Sequence, residues 1–108
     1  MDDVVQPSAA DLELPRVLAA LADPHRLATV QVVARNGESW CSRVIQDAGL
    51  TMSKSTFSHH LRILCEAGII TKRIQGTRTY IDLRKDDLDT RFPGLLDSIL
   101  TADAETVP

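Results

Sequence analysis

A small, mainly α domain carrying one β-hairpin is the fold class this sequence predicts, and three observations predict it. Phe57, Leu61 and Leu64 recur at helical spacing. From Ile70 the period switches to two and folds back at Gly76-Thr77. The chain has 108 residues, enough for one modest core.

In chain order, residues 1–11 are polar and read as a flexible N-terminal segment. One domain then spans 12–101, and residues 102–108 read as a flexible acidic tail. The first helix is expected from about Leu12 to Ala22, with Pro15 in its first turn, where a missing amide hydrogen costs nothing. Its apolar residues Leu14, Val17, Leu18 and Leu21 make a face that serves either the core or a dimer interface. Asp23-Pro24 marks the next start, Asp as cap and Pro at the first helical position. That helix buries Leu27, Val30, Val33 and Ala34 and stops at Asn36-Gly37. A short link, Glu38 to Trp40, with room for some extended pairing, leads to a brief helix over Ser42–Ala48 that turns Val44, Ile45 and Ala48 inward.

After a turn through Leu50-Thr51-Met52 comes the segment the chain is organised around, TMSKSTFSHHLRILCEAG. Thr51 or Ser53 caps it and Gly68 ends it. At 100° per residue, Ser55, Ser58, His59 and Arg62 face away from the apolar stripe, with Lys54 and Thr56 beside the first turn. A solvated helix face ordinarily pairs Glu with Lys; this one carries short donors, an imidazole and positive charge, with Glu66 only at its far end. Those residue types can approach phosphates and base edges in a DNA major groove without a repelling carboxylate. Short helix, turn and longer helix make a helix-turn-helix.

In the hairpin that follows, Ile70 and Ile74 share a face with Thr79, Ile81 and Leu83. Arg73, Gln75, Arg78 and Tyr80 lie on the outer face and tip. Beside such a helix the hairpin is a wing, and Arg73 and Arg78 would reach phosphates or the minor groove. Asp86-Asp87-Leu88 forms a capped turn and Phe92-Pro93-Gly94 breaks it. A last helix over about Pro93 to Leu100 carries Leu95, Leu96 and Ile99 toward a partner copy. The predicted fold is therefore a winged helix-turn-helix, α-α-α-α-β-β-α.

The formal charge of −3 argues against nucleic acid until its distribution is read. From Leu50 to Lys85 there are seven basic residues against two acidic, while residues 1–24 and 86–108 hold five and six acids and one base each. The opening MDDVVQPSAA has no basic start and no long apolar core, so neither a signal peptide nor a membrane span is expected. Two cysteines do not make a disulfide framework, which points to a reducing cytoplasm. Catalysis has no foothold: Ser58 and His59 are adjacent and splay about 100° apart, and there is no phosphate-cradling glycine loop.

LADPHRL, SKSTFSHHLRILCEAGII and the basic hairpin together resemble the ArsR/SmtB family of bacterial winged-helix repressors over about Leu14 to Leu100. The ending DLDTRFPGLLDSIL resembles a subgroup without the usual metal sites. The resemblance implies a cytoplasmic, nucleoid-associated homodimer that binds operator DNA and leaves it when an unidentified effector binds. It places the DNA contacts on Lys54, Ser55, Thr56, Ser58, His59 and Arg62, with Arg73 and Arg78 in the wing. The dimer contact falls on Leu14, Val17, Leu18, Leu21, Leu95, Leu96 and Ile99.

The family's metal sensors carry a Cys-x-Cys pair before the recognition helix, or Asp and His on terminal helices. Here Trp40-Cys41-Ser42 offers one thiol and the last helix no histidine. Cys41, Cys65, His25, His59 and His60 show no zinc-like spacing, so no metal and no cofactor are expected. His60 reads as a packing histidine and Cys65 as a small buried hydrophobe. Two alternatives stay open: a protein-interaction module without DNA binding, and a thiol sensor acting through Cys41.

Overall fold

The computed structural model describes residues 6–106, and side chains through Thr101. Six helices and three short strands follow in the order α1 (Leu14–Leu21), α2 (Pro24–Asn36), β1 (Ser39–Trp40), α3 (Cys41–Asp47), α4 (Lys54–Glu66), β2 (Ile70–Gln75), β3 (Arg78–Leu83), α5 (Lys85–Arg91) and α6 (Leu95–Thr106). The expected fold class holds, with one more helix and one more strand than periodicity disclosed.

Caps account for the boundaries. The Asp23 side chain accepts the amides of His25 at 2.8 Å and Arg26 at 3.1 Å, which starts α2 behind Pro24. α2 is the central helix and touches α1, α3, α4 and β3, so its buried surface is wider than one stripe. It takes in Thr29 and Val32 beside Val30 and Val33, while Leu27 and Ala34 are only half-buried. Ser53 starts α4 by accepting the Thr56 amide at 3.2 Å. Phe57, Leu61, Leu64 and Cys65 then enter the core with Val17, Ala20 and Leu21 of α1.

α4 ends in a Schellman motif: the Gly68 amide donates to Cys65 O and the Ile69 amide to Leu64 O, both at 3.0 Å. Gly68 has φ +83°, and a Cβ there would collide with the Leu12 side chain and meet Pro7 Cγ at 3.0 Å. Conformation and space both require glycine at this point.

The strands form one antiparallel sheet in the order β1-β3-β2. Gln75 pairs with Arg78 across the two-residue turn, where Gly76 has φ +62°. Ile70 and Ile81 are fully buried, but Ile74 is 62% exposed because the hairpin projects beyond the core. β1 is the extended pairing that the Glu38–Trp40 link left room for, and it sets Trp40 opposite Tyr80.

The ends of the chain differ most from expectation. Residues 1–5 lie outside the described part, but the remainder of the segment read as flexible is docked. Gln6 Nε2 donates to Ile70 O at 2.9 Å, and Arg84 Nη1 donates to Pro7 O at 2.8 Å. Ala9–Asp11 form a 3-10 turn, and Leu12 is buried before α1 begins. The capped turn after Arg84 is the full helix α5. Its Leu88 is buried, and its charges close on themselves through Arg84–Asp87 at 2.9 Å and Lys85–Asp89 at 2.6 Å. α6 runs to Thr106 and so continues through most of the segment read as a structureless tail, with 107–108 outside the described residues.

Gly68→Ala is expected to cost about 2–5 kcal/mol, summing the left-handed backbone and an overpacked contact. Gly49→Ala, at φ +67° with nothing within 4 Å of its Cβ and the same pair of closing bonds at the end of α3, carries the backbone part alone. Urea unfolding of both variants checks this; equal losses would show that Leu12 does not seat against Gly68.

Candidate nucleic-acid interface

α3, the turn and α4 set one helix across another, with the outer face of α4 in solvent. Lys54, Ser55, Thr56, Ser58, His59 and Arg62 are all exposed, while Phe57, Leu61 and Leu64 between them are 0–3% exposed. The two faces follow from the helical period and from packing of α4 on α1, α2 and β2.

Several of these side chains already have partners. Thr56 Oγ1 takes a bond from Ser53 Oγ at 3.0 Å, within the helix cap. Arg62 Nε stands 3.1 Å from Glu66 Oε2, an exposed i,i+4 pair of the sort worth about 0–1 kcal/mol. Such a pair can be exchanged for a phosphate.

The wing arginines also have partners within the chain. Arg73 forks onto Glu38, Nη2 to Oε1 at 3.0 Å and Nε to Oε2 at 3.2 Å, and lies over the Tyr80 ring. Its hydrogen bond holds the Glu38 carboxyl below the ordinary carboxylate range. Arg78 lies over Trp40, 3.5 Å from the ring centroid. Both arginines therefore fold back on the sheet in the free chain. Trp40 anchors Arg78, but Glu38 carried no signal in the sequence, because its partner is 35 residues away.

Cys41 lines a cleft of about 240 Å³ between α3, the start of α4 and the wing turn, with Lys54, Ser58 and Thr77. Half-burial pushes its thiol upward, and the Lys72 charge only partly offsets this. Cys65 is buried, as expected.

The residues assigned to the dimer contact separate into two groups. Val17, Leu21 and Leu96 belong to the chain's own core at 1%, 7% and 2% exposure. Leu14 and Leu18, one turn apart on α1, are 40% and 46% exposed, and Leu95 and Ile99 are half-buried.

The structure also assembles a cluster the sequence spacing concealed. Asp23, His25 and His60 bring their ligand atoms within 4.8 Å of one another, although His60 lies on α4 and the others at the start of α2. Arg26 joins them: Nη1 is 3.1 Å from His60 Nδ1, and Nε donates to Ala20 O at 2.6 Å at the end of α1. His60 is pushed below the ordinary histidine range, chiefly by burial, with Asp23 working in the opposite direction. His60 is half-buried, and the sequence reading of a packing histidine is silent on this company.

No helix among the described residues is long and apolar enough to cross a membrane. A family model described as bacterial regulatory protein, arsR family, matches residues 48–72, from the end of α3 through α4 into β2. The chain is 32% identical over 85 residues to the uncharacterized HTH-type transcriptional regulator YceK of Bacillus subtilis, covering 78% of this chain and 83% of that one. It is 34% identical over 70 residues to the arsenical resistance operon repressor of the same organism, 65% of each chain. A solution structure from Mycobacterium bovis superposes with a TM-score of 0.66 at 25% identity, covering 88% of this chain and 82% of that one. It is the homodimeric winged helix-turn-helix DNA-binding domain of a possible ArsR-family transcriptional regulator. With the exposed polar face of α4 and the adjoining hairpin, these likenesses establish that the chain belongs to the ArsR family of bacterial transcriptional regulators and is not an enzyme.

Proposed function

We propose that the chain acts in the cytoplasm as a homodimeric repressor, laying α4 in the major groove of operator DNA and leaving it when an effector binds. The observation that carries this reading is the two-faced character of α4. One side is locked in the core, and the other presents Lys54, Ser55, Thr56, Ser58, His59 and Arg62 to solvent. Arg73 and Arg78 join them on the phosphate backbone once they leave Glu38 and Trp40. Exposed Leu14 and Leu18, with Leu95 and Ile99 beside the core, supply the apolar surface for a second copy. A two-fold axis there sets two α4 helices about one DNA turn apart, ~34 Å. The homodimeric relative supports the dimer, and the arsenical resistance operon repressor supports repression.

Fluorescence anisotropy with duplex DNA from upstream of the chain's own gene, against a scrambled duplex over a range of salt, tests the proposal. Specific binding with a steep negative salt slope is expected; no binding to either duplex at low salt favours a protein-interaction module. Arg62→Ala should weaken binding to both duplexes and flatten the slope by about one unit. An unchanged slope would remove Arg62 from the contact face.

Glu38→Gln should act in the opposite sense. Without the carboxylate, Arg73 has no ion pair to break, so affinity rises and the slope steepens by up to about one unit. The same titration reads the change, and equal affinities would show that Arg73 does not reach the DNA.

A thiol sensor at Cys41 requires thiolate at neutral pH, and the raised pKa opposes this. Iodoacetamide should alkylate Cys41 more slowly than free cysteine at pH 7, with the rate still climbing above the pH where free cysteine levels off. Alkylation faster than free cysteine would restore the sensor reading.

A further inference from the structure

We propose that Asp23, His25 and His60 form a binding site for a transition-metal dication of the zinc class, joining the start of α2 to the recognition helix. The donor set is two imidazoles and one carboxylate, with their ligand atoms within 4.8 Å of one another. A zinc-class ion takes such nitrogen and oxygen ligands at about 2.0–2.2 Å, whereas calcium and magnesium call for oxygen ligands. The fourth position falls to water, because His25 lies in solvent with 55% of its side chain exposed.

Part of the site is built in advance. Both amide bonds of the α2 cap fall on Asp23 Oδ1 and fix the carboxylate, and His25 Nδ1 stands 3.6 Å from that same oxygen. The second carboxylate oxygen takes no part in the cap. The exposed His25 ring supplies the movement needed to shorten the remaining separations.

His60 is the contested ligand. Arg26 Nη1 is 3.1 Å from His60 Nδ1, and a neutral imidazole has one nitrogen lone pair to offer. The ion and the guanidinium therefore compete for one ring. Arg26 yields without leaving the fold, because its Nε bond to Ala20 O does not involve His60. Occupancy thus exchanges an arginine tether on α4 for a metal tether to Asp23 and His25. His60 is followed by Leu61 in the core and preceded by His59 on the outer face, so the exchange acts on the helix assigned to DNA. This last step rests on the proposed function; the metal site does not.

The test uses the full chain, stripped with a chelator and dialysed. Titration with cobalt(II) reads coordination through its ligand-field absorption, and zinc(II) competition with a chromogenic chelator reads affinity. One ion per chain is expected, with affinity lowered at least about tenfold in both His25→Ala and His60→Ala and retained in His59→Ala. Circular dichroism establishes that each variant is folded; His25→Ala removes only an exposed ring and keeps the question open to measurement if His60→Ala does not fold. No saturable binding by the folded wild-type chain, or undiminished affinity in folded His25→Ala, overturns the site. DNA anisotropy of the metal-free chain tests the functional reading separately. A zinc-dependent change in that anisotropy, abolished by His25→Ala, supports the coupling, and zinc binding that leaves it unaltered overturns the coupling alone.

Discussion

The close of α4 at Gly68 is the constraint on which the rest of the structure depends. A left-handed residue there lets the Gly68 and Ile69 amides satisfy carbonyls that the helix would otherwise leave open. The chain then turns directly into β2, and Ile69 and Ile70 enter the core. The absent Cβ leaves room for Leu12 and Pro7, which belong to the segment before α1. Arg84 closes the junction from the other side: its amide donates to Ile69 O at 2.9 Å and its Nη1 to Pro7 O at 2.8 Å. Recognition helix, wing, N-terminal segment and the start of α5 therefore meet at a single glycine.

The charge pattern gains a second meaning from the pairings. Seven basic residues against two acidic ones between Leu50 and Lys85 look like an open cationic face. In the folded chain Arg62 rests on Glu66, Arg73 on Glu38, and Arg84 on Asp87. The first two pairs are exposed and weakly held, so a phosphate can replace the carboxylate with little net loss of ion pairing. Arg84 differs, with only 9% of its side chain exposed and two partners on different segments. It belongs to the framework and not to the face, a distinction that counting charges cannot make.

Local patterns were legible in the sequence because they depend on near neighbours. The α4 stripe, its Ser53 cap, the Asp23-Pro24 start and the Gly76 turn each need only a few consecutive residues to specify them. What escaped depends on chain brought together from afar. Gln6 reaches Ile70, and Trp40 finds Tyr80 and Arg78 only once β1 joins the sheet. Helix α5 was hidden by the break at Phe92-Pro93-Gly94, since Leu88 alone gives no helical period. Leu96 reads as surplus apolar surface on a terminal helix, yet the core takes it at 2% exposure. His25 and His60 are invisible as a pair because nothing in either local sequence announces the other. The outward face of α4 was readable residue by residue, whereas the partners that hold its arginines were not.

α1 ties these features together mechanically. Val17, Ala20 and Leu21 seat it in the core beside α4, while Leu14 and Leu18 on its other side remain in solvent. Its C-terminal carbonyl at Ala20 is held by Arg26, whose other arm reaches His60 on α4. In the proposed dimer, a second copy docking on Leu14 and Leu18 presses on a helix that is packed against α4 and bridged to it through Arg26. Packed interiors transmit such displacement, because side chains interdigitate at near-crystalline density and have few voids to absorb it. In the proposed dimer the separation of the two α4 helices is then fixed by α1 geometry, and operator half-site spacing follows from it. The Arg26–His60 contact is one of the polar links between the end of α1 and α4, beside the apolar packing of the two helices.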